Sequence, residues 1–266
     1  MKKYMIRCDI EGVSGVVSYQ QADPAFPEYA FGKRMFMHDL LALLRGLNDG
    51  GADEILVYDE HFYGRNIDID ALPENVRAIC GKPPYRADWA GGLDETFSGL
   101  ILLGFHSKAG TGELLHHSYE PDIADIIING VSVGEIGVEA AVAGDWNVPL
   151  TMVIADSAGV REAETLVPGT IGVAVKQSLS PDGGLCDSTE ATGRKIRETA
   201  ARAVRNPPPA KPWKFSNPTL EVRFNPGEFA EKFRQLFGEP RFSASIVTAC
   251  WAQYWQRKLQ TFEALK

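Results

Sequence analysis

KYMIRCDIEG (Lys3–Gly12) and EILVYDEH (Glu54–His61) are two short apolar runs, and each ends in side chains that can bind protons or metals. Between them, Phe36, Leu40, Leu43, Leu44 and Leu47 recur at helical spacing within Tyr29–Asp49, and Gly50-Gly51 supplies a C-terminal stop. Strand, helix and strand in this order predict a βαβ unit with a parallel pair and a right-handed crossover. The pattern repeats outward through GLILLGFH (Gly99–His106), VPLTMVIAD (Val148–Asp156) and TIGVAV (Thr170–Val175). In DIIINGVSVGE (Asp125–Glu135), Asn129-Gly130 stands between β-branched runs, a hairpin signal that makes part of the sheet antiparallel. A helix is expected over Glu135–Asp145 and another from about Ser188 to Arg205. The class is α/β, a three-layer α/β/α domain with a mixed, mostly parallel sheet.

NPPPAKPWKFSNP (Asn206–Pro218) packs five prolines into thirteen residues and marks the expected boundary. Residues 1–206 form the α/β domain. Residues 207–266 read as a small βαβα unit, either a cap or an oligomer interface, with an aromatic last helix from about Trp251 to Leu265.

The chain has 266 residues, with 27 basic against 35 acidic side chains and a net charge of −8. An acidic chain without a basic face does not suit nucleic acid. The apolar runs fall far below the roughly 18 residues of a membrane span, and the start lacks a signal-peptide pattern, so a cytoplasmic protein is expected. Cys8, Cys80, Cys186 and Cys250 lie far apart, which fits neither a thiolate zinc site nor a disulfide framework.

Chemistry gathers at the C-terminal ends of the apolar strands, which converge on one crevice in an open α/β sheet. Asp9 and Glu11 follow the first strand, Asp59 and His61 the second, His106 the next, and Glu135 the hairpin. Residues two apart on extended chain point the same way, so both Asp9 and Glu11 can face the crevice. Alone, Asp-x-Glu reads equally as loop polarity, and a single histidine reads more readily as a satisfied core group. Their joint placement favours a metal site. Asp9, Glu11, Glu135, His61 and His106 offer oxygen and nitrogen without thiolate, a set that suits Zn, Mn or Co. Five ligands exceed what one catalytic zinc takes and fit two ions. Two divalent ions, three carboxylates and one hydroxide also sum to a neutral cluster. His116-His117-Ser118 offers a general base or nucleophile, and Lys176 a substrate anchor or an exposed lysine.

At these residues the chain resembles the zinc-dependent D-aminopeptidase family. The matching pieces are CDIEGVSG (Cys8–Gly15), VYDEH (Val57–His61), LGFH (Leu103–His106), His117-Ser118, NGVSVGEIG (Asn129–Gly137) and VAVKQ (Val173–Gln177), in family order. The resemblance implies that Asp9, Glu11, His61, His106 and Glu135 hold two zinc ions per chain, with Asp9 as the bridge. It implies that His117 is the catalytic nucleophile and that the chain forms a ring-like homo-oligomer such as a decamer. Glu60 stands where the family has a small residue, Glu139 where it has Asn, His116 before the catalytic histidine, and Pro181 where an arginine is usual. Added acid and a lost cation favour a positively charged substrate group over a free carboxylate.

The function expected is a dinuclear zinc-dependent hydrolase. It would cleave the N-terminal amide of short peptides or amino-acid amides, D-residues among them, with Asp59, Glu60, His116 and Lys176 in substrate-binding or supporting roles. A metal-dependent phosphohydrolase and a non-catalytic peptide-binding protein are the alternatives.

Overall fold

In the computed structural model, which describes residues 1–266, eleven strands alternate with helices. In chain order they are β1 (Lys3–Cys8), α1 (Tyr19–Ala22), α2 (Tyr29–Gly50), β2 (Glu54–Asp59), β3 (Val76–Ile79), β4 (Gly99–Phe105), β5 (Ile123–Ile128), β6 (Val131–Val133), α3 (Glu135–Asp145), β7 (Leu150–Asp156), α4 (Ser157–Leu166), β8 (Ile171–Ser180), β9 (Gly183–Cys186), α5 (Thr189–Arg205), β10 (Thr219–Phe224), α6 (Glu228–Phe237), β11 (Arg241–Ser243) and α7 (Val247–Ala264).

The main sheet runs β3-β2-β1-β4-β7-β8-β9 and is parallel up to β8. Chain order reverses on either side of β1, so the crevice outside β1 and β4 is the topological switch point where ligands bind in such sheets. β4 and β7 are buried at every residue, as near-continuous apolar strands covered on both faces must be. Leu40, Leu43, Leu44 and Leu47 of α2 pack with Ile196, Ala200 and Val204 of α5 on one face of the sheet. On the other face α3 packs with α4 and α7, giving the three layers.

Two details differ from the expectations. The antiparallel member of the main sheet is β9, folded back on β8 through Pro181 and Asp182, residues that pattern alone reads as a loop. The Asn129-Gly130 hairpin of β5 and β6 belongs to a second, antiparallel sheet, ordered β11-β10-β5-β6. This sheet takes strands from both sides of the Pro-rich stretch, and Ile126, Val133, Leu220 and Phe242 share one core. The segment RFSASIVTA (Arg241–Ala249) is strand only to Ser243, and α7 begins at Val247.

The ends of β1 and β4 are locked by close backbone approach. The N–H of Asp9 donates to the Leu103 carbonyl at 2.8 Å, and that of Gly12 to the Gly104 carbonyl at 2.6 Å. A Cβ on Gly12 would lie 1.7 Å from the Phe105 carbonyl oxygen. Gly104 has φ of +77°, and a Cβ there would lie 2.0 Å from the Asp9 carbonyl oxygen. The backbone that carries Asp9 and Glu11 therefore has no room to shift. Gly12→Ala is expected to destabilise the fold by about 1–3 kcal/mol or more, as overpacking against backbone does. Urea denaturation checks this, and an unchanged midpoint would show that the turn accommodates a methyl group.

Candidate metal centre

The five sequence-predicted ligands come together at the switch point, and all five are buried. Asp9 sits between the two imidazoles. Its Oδ1 is 2.7 Å from His61 Nδ1 and its Oδ2 is 3.5 Å from His106 Nε2. Glu11 Oε2 lies 3.2 Å from His61 Nδ1, and Glu135 Oε1 lies 3.3 Å from His106 Nε2. Two sets of converging atoms result, Asp9-Glu11-His61 and His106-His117-Glu135, each with its ligand atoms within 4.8 Å of one another.

Each imidazole is aimed by a backbone carbonyl on its far side. His61 Nε2–H donates to the Ala22 carbonyl at 2.7 Å, and His106 Nδ1–H to the Ser107 carbonyl at 2.9 Å. With one nitrogen so engaged, the other faces inward, the arrangement that metal-ligating histidines adopt. Helix α1, which supplies the Ala22 carbonyl, is only four residues long and is missed by periodicity. Tyr119 N–H donates to Glu135 Oε1 at 2.6 Å.

Electrostatics show the same convergence. Burial pushes the Asp9 carboxyl up, but the close imidazoles of His106 and His61 outweigh it and hold the group well below its usual range. Burial lowers His61, yet Glu11 and Asp9 raise it well above an ordinary histidine; Glu135 and Asp9 do the same for His106. Glu11 Oε2 and His106 Nε2 are buried without a hydrogen-bond partner. Orphaned buried acceptors facing a cluster of carboxylates are costly unless a cation takes their lone pairs. The donor set therefore fits divalent ions.

His117 stands at the rim. Its Nδ1 is 2.9 Å from the Leu115 carbonyl, its ring stacks on His106 at a centroid distance of 4.1 Å, and Nε2 is 4.0 Å from Glu11 Oε1. His116 is half-buried, and its Nδ1 accepts from Gly110 N–H at 3.2 Å.

The supporting residues sit less directly than pattern suggests. Asp59 is buried but does not touch the His61 ring. It accepts from Asn66 N–H at 2.6 Å and Asn66 Nδ2 at 2.7 Å, and Asn66 in turn donates to the His61 carbonyl at 3.1 Å. Lys176 turns inward, with its ammonium on the carbonyls of Glu11 at 2.5 Å, Val13 at 2.9 Å and Val16. All three of its protons are used on the Glu11 loop, and burial pushes the amine down to about 8. Glu60 points toward Arg7, its Oε1 3.6 Å from Nη1, and burial raises its carboxyl. Arg7 pairs with Glu139, and its sequence signal is a cation inside an apolar strand two residues before Asp9. Lys108 donates to the Ser132 hydroxyl.

Comparison with known proteins agrees with this geometry. The chain is 33% identical over 227 residues to the D-aminopeptidase of Bacillus subtilis (strain 168), covering 84% of this chain and 81% of that protein. It superposes with a TM-score of 0.89 and 29% identity on the Zn-dependent D-aminopeptidase DppA from Bacillus subtilis, a self-compartmentalizing protease, covering 98% of this chain and 97% of that one. The family model described as D-aminopeptidase matches residues 1–263, so the chain belongs to the D-aminopeptidase family of peptidases, hydrolases that act on peptide bonds.

Proposed function

We propose that the centre holds two zinc ions per chain and cleaves the N-terminal amide bond of short peptides or amino-acid amides, those of D-residues included. The observation that carries this reading is the position of Asp9, with one carboxylate oxygen toward His61 and the other toward His106. Asp9, Glu11 and His61 would hold one ion, and Asp9, His106 and Glu135 the other. Mn or Co suits the same donors. When bound, such a pair polarises a carbonyl and makes water a competent nucleophile near neutral pH.

The protein supplies the rest. With Nδ1–H on the Leu115 carbonyl, His117 keeps Nε2 as a free lone pair at the rim; it would attack the substrate carbonyl, and the acyl-imidazole left when the amine departs would be hydrolysed by water, which releases the acid and restores the imidazole. His116, with Nδ1 accepting from Gly110, carries its proton on Nε2 and can pass it to the leaving amine. Lys176 positions Glu11 through the loop carbonyls.

Relatedness to a self-compartmentalizing protease supports a ring-like homo-oligomer, with a decamer as the expected size. Phe62, Tyr63, Leu179 and Leu185 are large apolar side chains left 46–65% exposed, which suits coverage by another copy. The C-terminal segment also backs the site, because Trp251 and Trp255 pack on Tyr119. Cys80 and Cys186 are exposed free thiols, which suits the reducing cytoplasm.

Elemental analysis of protein purified without chelator should find about two zinc or manganese per chain, falling in Glu135→Ala. Absence of metal, with no uptake on adding zinc, would overturn the hydrolase reading. His117→Ala should keep both ions and lose at least about a hundredfold in kcat on aminoacyl amides. If metal falls with it, His117 is a ligand of the His106-Glu135 ion instead.

Zinc must displace the protons that neighbouring carboxylates hold on His61 and His106. Because both groups titrate above the ordinary histidine value, zinc affinity of chelator-stripped protein should rise with pH through and above neutrality. Calorimetry at pH 7 in buffers of differing ionisation enthalpy should show release of about one to two protons per chain. No release would mean that both imidazoles are already neutral.

A further inference from the structure

His117 lies in the loop between β4 and β5, and no helix or strand carries it. The loop is nonetheless fixed around it. Leu115 has φ of +51° and Tyr119 φ of +58°, so a non-glycine residue in the left-handed region stands two places before His117 and another two places after it. Bulky residues adopt that region only where their surroundings hold them there, and such positions gather at functional sites. Leu114 and Leu115 are both buried, which anchors the first of these turns in the core.

All four backbone polar groups of Leu114 and Leu115 are engaged. Leu114 N–H donates to Ser178 Oγ at 2.8 Å, and the Leu114 carbonyl accepts from Ser107 Oγ at 3.2 Å. Leu115 N–H donates to the Pro181 carbonyl at 3.0 Å, and the Leu115 carbonyl lies 2.9 Å from His117 Nδ1. Ser178 is on β8 and Pro181 opens the β8–β9 turn, so one hairpin grips both peptides that precede the histidine. Ser178 is anchored in turn, its N–H donating to Ser157 Oγ at 3.2 Å. Gly184 of β9 closes on the Leu114 side chain, where a Cβ would come within 3.0 Å of Cδ2. At the far end of the loop, Tyr119 N–H donates to Glu135 Oε1 at 2.6 Å, which ties the second left-handed residue to a candidate metal ligand.

These ties decide how the imidazole is presented. Stacking on His106 at 4.1 Å and the edge of the Tyr19 ring at 5.6 Å set the plane of the His117 ring. The Leu115 carbonyl sets its rotation within that plane. It also selects the tautomer, because a hydrogen bond at one ring nitrogen determines which nitrogen holds the proton. If Leu115 left the left-handed region its carbonyl would swing away, and Nε2 would lose both its direction and its lone pair.

We propose that Ser178 is a positioning residue for His117. Together with the Pro181 carbonyl it holds Leu115 in the conformation that turns its carbonyl onto Nδ1 and leaves Nε2 facing the substrate. This inference rests on the assignment of His117 as nucleophile.

The test compares metal-replete wild type, Ser178→Ala and Ser178→Thr on alaninamide in D and L forms. Ser178→Ala takes the acceptor from Leu114 and is expected to lose about ten- to hundredfold in kcat, the cost of a misplaced catalytic group, with KM and metal content unchanged. Ser178→Thr keeps an Oγ and should restore kcat. Hydrogen exchange reads the same contact without turnover: the amides of Leu114 and Leu115 should be protected in the wild type and exchange faster in Ser178→Ala. A lower urea midpoint with kcat intact would make the hydrogen bond merely stabilising and overturns the proposal. So does a loss of kcat that Ser178→Thr does not repair, and so do wild-type amides at Leu114 and Leu115 that exchange as fast as open chain. His117→Ala separates this inference from the reading beneath it. If that variant keeps kcat, or if the wild type leaves both amides uncleaved, the underlying assignment fails and this inference fails with it; if His117→Ala loses kcat and Ser178→Ala does not, this inference fails alone.

Discussion

Everything at the centre depends on one carboxylate placed between two imidazoles. Asp9 is buried, and each of its oxygens faces a different histidine. A buried carboxylate survives in its charged form only if cations or donors surround it. Protons on His61 and His106 meet that need in part, and the remaining carboxylates of Glu11 and Glu135 ask for more positive charge than two imidazolium groups supply. Two divalent ions would bring more charge than two protons and use the lone pairs of Glu11 Oε2 and His106 Nε2. The chemistry of the site follows from this excess of inward-facing lone pairs.

Holding such a cluster requires a scaffold that does not relax around it. The parallel sheet supplies one, because β1 and β4 sit at its centre and their ends are tied by backbone hydrogen bonds through Gly12 and Gly104. Lys176 performs the corresponding task from β8, reaching across to three carbonyls of the loop that carries Glu11. Its burial is tolerated because all its donors are satisfied and Asp156 and Glu11 lie near enough to favour its charge. Asp59 works similarly through Asn66, setting the backbone of His61 and leaving the ring to the Ala22 carbonyl.

Much of this was legible in sequence, for a physical reason. Apolar strands in a parallel sheet end on one side, so Asp9, His61 and His106 fall together wherever their own strands lie in the chain. The helix α2 was equally readable, since Phe36, Leu40, Leu43, Leu44 and Leu47 recur at helical spacing over about three turns. What escaped depends on contacts between distant residues. Pairing of β5 with β10 joins Ile128 to Leu220 and cannot be read from either run alone. The Ala22 carbonyl is a backbone group and carries no side-chain signature. Pro181-Asp182 reads as an interruption, yet it is the turn of the β8–β9 hairpin. Lys176 looks like an exposed cation by residue type, and only the fold shows it buried.

The same logic brings together charges that lie far apart in sequence. Glu60 and Glu139 are separated by most of a domain in sequence, and each looks like an isolated addition of acid. In three dimensions they meet across Arg7, whose partner Glu139 lies 132 residues away. A carboxylate introduced beside a metal ligand would repel the ligand carboxylates unless a cation came with it, and Arg7 is that cation for Glu139. It does not fully serve Glu60. The residues one or two places along the same strand and loop, and one turn along the same helix, lie beside that cluster. Arg7, Glu60 and Glu139 therefore stand beside Asp9, His61 and Glu135 on the same strand, loop and helix, and form the wall next to them.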